Sequence, residues 1–440
     1  MHFHTGYRCV RLLFSLGIVA MAAGWASAGT LPPPPPPSLD NVIIGLLENN
    51  CFLLGFNPNA PAPEFGPNLT RVCDFPTTGS GIASGGGSAS PQGSTLSIES
   101  SLIQERLERA KKKKKGEESG SSSTASALAR GRSGRAGSDA GGAGGGSEGS
   151  GFDIFASGSY ESVDRQPTIF ESAYDSSIVG GAVGFDYQFN DTVTAGLALG
   201  YRKQDGDFAG GGDFTMKAFE PSVFVSVLPT PKMYLQFVAG YGSQDSDVLR
   251  NVFFEVVDQS ATPRTISGAA ASSSDAKALT AAGQFGYDFS AGRFTFGPRV
   301  GVSYLKTDID PYTESGGSGL ELRVDERSVK SLQGAVGFFG SAAFSAGHAV
   351  LVPQLGIDYV HEFEDDANTV NAQFVEDLRG PTALTFSYLT NAPDSDFFNA
   401  QLGLGVVFAR GVQMFVNVRS MFGNDLFDNT SAVIGVRFEL

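Results

Sequence analysis

From residue 152 to the last residue the chain is written in a period of two. The final segment, Ala432-Val433-Ile434-Gly435-Val436-Arg437-Phe438-Glu439-Leu440, sets Ile434, Val436, Phe438 and Leu440 on one side of an extended chain. Gly435, Arg437 and Glu439 fall on the other side. Successive side chains of a strand point to opposite faces, so this alternation is the signature of a strand with two unlike surroundings. About twelve such segments follow one another, at 152–163, 176–189, 192–206, 213–228, 231–246, 274–290, 293–308, 328–345, 348–363, 396–408, 412–422 and 429–440. With no helical pattern between them, they suggest a closed antiparallel barrel.

The connections alternate in length. Every second one is tight: Asn190-Asp191, Leu228 to Pro231, Ala291-Gly292, Ser345 to Gly347 and Ala409 to Gly411. The others read as longer loops, at 164–175, 207–212, 247–273, 309–327, 364–395 and 423–428. Short turns on one rim and long loops on the other are the habit of outer-membrane barrels.

The two faces agree with that environment. Val193, Ala195, Leu197, Leu199 and Tyr201 alternate with Thr194, Gly196, Ala198, Gly200 and Arg202. Phe294, Phe296, Pro298, Val300, Val302 and Tyr304 alternate with Thr295, Gly297, Arg299, Gly301 and Ser303. The second face is too polar for a dry core and too small to fill a wide barrel. A lumen that holds water or a helix accounts for both, and the first face then meets lipid. A soluble lipocalin-like barrel would instead turn the apolar face inward and use fewer strands.

The 151 residues before the barrel are of other kinds. Residues 1–28 read as a signal peptide: a weakly basic start, an apolar run from Leu12 to Ala23, and Ala26-Ser27-Ala28 as a cleavage site. The apolar run is too short to span a bilayer as a helix. Residues 29–95 form a short segment that opens with six prolines, Pro32 to Pro37, and ends in a Gly/Ser-rich run from 78. Within it Cys51 and Cys73 read as a disulfide in an exported chain, with two free thiols as the alternative. Residues 96–115 carry Leu96, Ile98, Leu102, Ile103, Leu107 and Ala110 at loosely helical spacing and end in Lys111 to Lys115. Twenty helical residues span about 30 Å, a membrane thickness. Residues 116–151 are low-complexity Gly/Ser/Ala, of a composition that stays disordered.

Charge excludes one class of function. The net charge is -15, and loss of Arg8 and Arg11 with the signal leaves 29 basic against 46 acidic residues, or -17. Nucleic-acid binding needs a basic footprint that is absent here. The sole Trp, Trp25, leaves with the signal, so an aromatic girdle must be made of Tyr and Phe.

No catalytic, cofactor-binding or metal-binding residue is assigned. His348 and His361 both fall in barrel segments. Gly145-Gly146-Ser147-Glu148-Gly149 matches G-x-S-x-G, but in a Gly/Ser linker and not on a strand-to-helix elbow. Glu362, Glu364, Asp365 and Asp366 offer oxygens to Ca²⁺, yet an acidic loop needs only water to explain it.

Taken together, the signal peptide, the short N-terminal segment, the helix-forming linker and the C-terminal barrel resemble the autotransporter family of type V secretion. The textures Val183-Gly184-Phe185-Asp186-Tyr187-Gln188-Phe189 and Ala195-Gly196-Leu197-Ala198-Leu199-Gly200-Tyr201 are similar to that family's second and third barrel strands. Ile434, Val436, Phe438 and Leu440 look like the C-terminal signal read by the barrel-assembly machinery, although the family usually ends in Phe or Trp and this chain ends in Leu440. The resemblance implies an all-β fold, a twelve-stranded antiparallel transmembrane β-barrel over 152–440. A linker helix and a mostly disordered N-terminal region precede it.

It further implies export through the Sec pathway, insertion by the assembly machinery among outer-membrane lipid, a monomer, and display of residues 29–95 at the cell surface. The linker helix 96–115 would then lie in the lumen, where inward Asp186, Glu220, Asp358 and Glu439 could meet its Arg and Lys; inward Arg202, Arg299, Arg419 and Arg437 compete for them. What the displayed segment binds is not written in it. Two other readings stay open: a porin-like diffusion channel with an N-terminal tether or plug, and an outer-membrane enzyme with its site in the long loops.

Overall fold

The computed structural model describes Ile43, Phe65, Leu69 and residues 151–168, 170–257, 263–408 and 411–440, and of residues 254–266 only the backbone. The signal peptide, the Cys51–Cys73 pair, the helix at 96–115 and the linker at 116–150 lie outside the described residues.

Eighteen strands follow in order: β1 (Phe152–Arg165), β2 (Tyr174–Gln188), β3 (Val193–Phe208), β4 (Gly212–Thr230), β5 (Met233–Val257), β6 (Pro263–Tyr287), β7 (Phe289–Ala291), β8 (Phe294–Ile309) and β9 (Tyr312–Thr313). Then come β10 (Leu322–Val324), β11 (Arg327–Ala342), β12 (Phe344–Ala346), β13 (Ala349–Glu362), β14 (Thr369–Phe374), β15 (Phe386–Leu389), β16 (Asp396–Phe408), β17 (Val412–Phe422) and β18 (Phe427–Glu439). Twelve of them, β1–β6, β8, β11, β13, β16, β17 and β18, pair antiparallel in a ring. The ring closes where β1 meets β18, from Asp153 opposite Glu439 to Arg165 opposite Phe427.

Prolines mark where the ladder breaks. Pro298 lies where pairing with β8 stops at Gly286 and resumes at Phe289, and Pro353 where pairing with β13 stops at Ser341 and resumes at Phe344. Pro221 sits in a third gap, where pairing of β4 with β5 stops at Phe219 and resumes at Ser222. Each proline keeps its partner on the other flank, Phe338, Leu404 and Leu199 respectively. A residue without an N–H can serve one neighbour of a sheet but not both.

The outer face is apolar over a band of fixed height. Leu197, Val183, Val300 and Ile434 are 46 %, 56 %, 47 % and 58 % exposed, and the same holds for their outward neighbours around the ring. Burying one such side chain is worth about 1.5–3 kcal/mol, against a net stability of about 5–15 kcal/mol for a typical domain. So large an apolar belt belongs in a bilayer. On β8 the band runs from Phe294 to Tyr304. The ten steps between them at about 3.4 Å each, tilted by about 40°, rise about 26 Å, close to the apolar band of about 25 Å in outer-membrane barrels.

Aromatic rings edge the belt on both rims. Tyr187, Phe189, Phe289, Phe296, Phe408 and Phe438 lie towards the tight turns, and Tyr160, Tyr201, Tyr241 and Tyr359 towards the long loops. Beyond the second ring the outward positions turn ionic. Lys203 meets Asp205 and Lys306 meets Asp308, each at 2.7 Å. The hydrogen bond from Lys203 holds the Asp205 carboxyl below its ordinary range.

The tight turns are stitched by side chains. Asn190 Oδ1 accepts the N–H groups of Thr192 and Val193, each at 2.8 Å, and Thr230 Oγ1 accepts those of Lys232 and Met233. On the other rim three expected loops need correction. Residues 247–273 are mostly strand, because β5 and β6 run past the membrane band as a long hairpin. Residues 309–327 and 364–395 contribute a separate four-stranded sheet in the order β15-β14-β10-β9.

Candidate functional site: lumen and outer-rim cap

The inward faces of the wall carry two buried ion pairs. Arg437 Nη2 donates to Asp186 at 2.9 Å, and Arg299 Nε donates to Asp358 at 2.7 Å, all four residues being buried. Glu220 accepts a short hydrogen bond from Thr280. Asp186, Glu220 and Asp358 are thus engaged by neighbours within the wall. The expected pairing of these groups and Glu439 with the linker helix involves residues 96–115, which lie outside the described residues.

The small inward residues also serve the wall itself. Phe155, Phe224, Phe415, Val238 and Val433 form an apolar cluster inside the half nearer the tight turns. Phe415 lies where a Cβ on Gly435 would come within 2.3 Å of its ring, and Phe155 lies within 2.4 Å of the corresponding point on Gly184. Part of the room at such glycines is therefore occupied by aromatic side chains of the adjacent strand. Above this cluster the lumen is lined by polar and apolar side chains together, Val163, Ile178, Val360 and Phe397 among the latter. A cavity of about 290 Å³ there is bordered by Gln236, Thr280, Gln284, Ser303, Gln401 and Asn429.

At the loop rim Arg165 pairs with Glu171, and Glu171 also accepts the N–H of Asn391 at 3.0 Å, tying two loops together. Tyr174, packed beside Phe208 and Phe214, has its phenol pushed up to about 12, chiefly by burial.

The four-stranded sheet forms a cap on this rim. Its polarity is that of an ordinary water-soluble fold: Leu320, Leu322, Val324, Val370, Phe374 and Phe386 are buried, while Arg323, Asn371 and Ser387 are exposed. One buried ion pair fastens it to the long hairpin. Arg250 Nε donates to Glu314 at 2.9 Å, Arg250 Nη2 donates to the Leu320 carbonyl at 3.2 Å, and Glu314 accepts the Leu322 N–H at 2.9 Å. Burial opposes the charge on Arg250, but Glu314 outweighs it and the guanidinium pKa is raised. Ala271 and Ser315 add a pair of backbone hydrogen bonds at 2.8 and 2.9 Å.

Two of the described N-terminal residues, Phe65 and Leu69, contact this cap. Phe65 forms an antiparallel bridge with Asp377 and is buried, and the Arg379 guanidinium stands 5.0 Å over its ring. The Leu69 N–H donates to the Glu376 carboxylate at 2.7 Å. Asp377 and its neighbours lie between β14 and β15, on the long-loop rim. Both ends of the barrel domain lie on the opposite rim, where the Leu440 N–H donates to the Phe152 carbonyl at 3.1 Å.

Of the residues singled out in the sequence, Ile434, Phe438 and Leu440 project outward from β18 and its end, with Val436 half-buried on the same face. They are ladder partners of β1 and β17: Ile434 lies opposite Gly158 and Val416. His361 and Asp396 meet at 2.8 Å on the outside of the loop rim, with His361 edge-on to Phe363. Glu362 accepts from Ser331 and the Leu332 N–H, and Asp365 from Ser395. Among the described residues no group of three or more His, Cys, Asp or Glu could hold a metal ion. The cap and its contact with Phe65 are absent from the sequence reading. The only local trace is Asp377-Leu378-Arg379 ahead of the Gly380-Pro381 turn.

Residues 154–419 match the Autotransporter beta-domain family. No curated protein matches the chain. Among solved structures, the translocator domain of autotransporter NalP from Neisseria meningitidis aligns over 79% of this chain and 100% of its own, at 14% identity and a TM-score of 0.50. The beta domain of the Bordetella autotransporter BrkA aligns over 66% of this chain and 100% of its own, at 16% identity and a TM-score of 0.44. The transport unit of autotransporter AIDA-I from Escherichia coli aligns over 66% and 90%, at 10% identity and a TM-score of 0.46. At such identities the likeness to these structures is one of fold.

Proposed function

The chain belongs to the autotransporter family and is an outer-membrane β-barrel, and on that premise we propose that it carries its own short N-terminal segment, residues 29–95, to the cell surface and displays it there. One observation supports this above others. Phe65 and Leu69 touch the cap on the long-loop rim, whereas β1 begins at Phe152 on the tight-turn rim. Residues 70 to 151 must therefore cross the height of the barrel. Lipid does not tolerate irregular backbone outside the wall, so the lumen is the route. Residues 96–115 are long enough to cross as one helix, at about 1.5 Å per residue.

The same reading assigns the other parts. Residues 1–28 direct export through Sec. Ile434, Val436, Phe438 and Leu440 are the face that the barrel-assembly machinery reads. Cys51 and Cys73 staple the displayed segment. The barrel carries out no catalysis, and it works as a monomer with no cofactor.

An epitope tag placed after residue 60 and probed by antibody on intact cells tests the reading. The tag is expected to be exposed without permeabilisation. A tag that is reached only after the outer membrane is opened, in protein that migrates as a folded barrel, overturns display and favours a channel with a periplasmic tether. Bilayer recordings separate the two further: a diffusion channel would give steady open conductance, a filled lumen would not.

A further inference from the structure

We propose that the outer-rim cap is a docking site for the chain's own N-terminal segment, and that this contact holds the segment on the cell surface even when the linker is cut. The inference rests on the display reading and adds a place and a holding mechanism to it.

The hydrogen bonds that shape the socket are made by the cap's own residues and not by Phe65. Asp377, its side chain fully buried, accepts Nε–H of Arg379 at 2.7 Å as well as the N–H of Leu384 at 3.0 Å. A carboxylate gripping a guanidinium through two parallel bonds fixes the plane of the fork. That plane is the surface presented to the Phe65 ring, and a flat cation over an aromatic face is attractive. The backbone of Asp377 simultaneously offers a strand edge, to which Phe65 bridges. Glu376 provides the third contact, as acceptor for the Leu69 N–H.

Phe65 and Leu69 are respectively 6 % and 0 % exposed, so an aromatic and an aliphatic side chain are withdrawn from water together with their polar contacts. Strand-edge addition with a side chain in a prepared pocket is a recurrent mode of peptide capture. The tether raises the local concentration of the segment at its socket, and each contact adds to retention once the tether is gone.

The test uses the full chain in its own membrane. A tag is placed after residue 30, and a site-specific protease sequence replaces residues 84 to 88 in the Gly/Ser-rich run. Intact cells are treated with the protease, and the tag is followed in cells and medium. In the otherwise unaltered chain the cut segment is expected to stay on the cells. Phe65→Ala, which alters neither barrel nor cap, and Arg379→Ala are each expected to release it at least tenfold faster. Leu378→Ala, on the exposed residue between the two socket side chains, is expected to release it at the unaltered rate.

Prompt release from the unaltered chain after cutting, or equal release by Phe65→Ala and Leu378→Ala, overturns the docking site while display stands. A site that is cut only in opened cells overturns display, and the docking site with it.

Discussion

The barrel wall and the cap are two antiparallel sheets made by one chain, and they are inside-out with respect to each other. The wall puts Leu197, Val300 and Ile434 outside and encloses Arg299 with Asp358 and Arg437 with Asp186. The cap encloses Leu322, Phe374 and Phe386 and turns Arg323, Asn371 and Ser387 outward. Hydrogen bonding is the same in both. What differs is the medium on each face: lipid outside and a polar lumen within for the wall, water outside for the cap. Side-chain sorting by medium, more than strand propensity, separates the two regions.

The contrast can be broken at four places, in falling order of effect. Arg299→Ala strands Asp358 in the wall and is expected to cost about 3–5 kcal/mol, the range for a buried pair that loses one member. Denaturant unfolding of the detergent-solubilised barrel reads it, and removing both partners together should cost markedly less. Phe374→Ala is expected to cost a similar amount, about 3–5 kcal/mol, by opening a cavity in the cap. Here the damage should stay local: limited proteolysis between residues 364 and 395 accelerates while the wall keeps its folded electrophoretic mobility. If the whole barrel unfolds instead, wall and cap are one cooperative unit.

Val300→Arg puts a charge on the lipid face near mid-band and should cost about 2–4 kcal/mol. The same arginine at Ser387, exposed on the cap, should be silent. Equal penalties would remove the distinction between the two media. The smallest effect belongs to acid. Burial raises the Asp377 carboxyl, but the Arg379 hydrogen bond and the backbone N–H donors of Leu384 and Arg379 overcome it and hold the group below its ordinary value. A depressed carboxylate stabilises the fold above its unfolded value of about 3.9 and loses that contribution as pH falls further. Retention of the cut N-terminal segment should therefore be level from neutral pH down to about 4 and weaken below it. Loss already at pH 6 would point to another group.

The wall was legible because its pattern is long. Eleven outward and inward positions in succession, as in 294–304, leave one register that keeps every apolar side chain in lipid. The turn side was legible for a related reason: Asn190-Asp191 and Ala291-Gly292 are turn chemistry between two such runs. The cap was not. Its strands run from two residues in Tyr312–Thr313 to six in Thr369–Phe374, too few to show a period. The outward run of β6 hides in Ala269 to Ser274, where small residues blur the two faces. The charged inward residues stand out in the sequence, but the pairs Arg437–Asp186 and Arg299–Asp358 do not, since a strand pattern carries register only along its own strand. Phe65 and Asp377 are farther apart still, and nothing local at either announces the other.

The seam between β1 and β18 has a consequence for how this molecule is made. The two strands that meet there are the farthest apart in the barrel sequence, and until they pair the sheet has two raw margins. Hydrocarbon has no hydrogen bonds to offer such margins. A chain without β18 would leave β1 and β17 each with an unpaired edge, so the cylinder closes only when its two outermost strands in sequence are both in place.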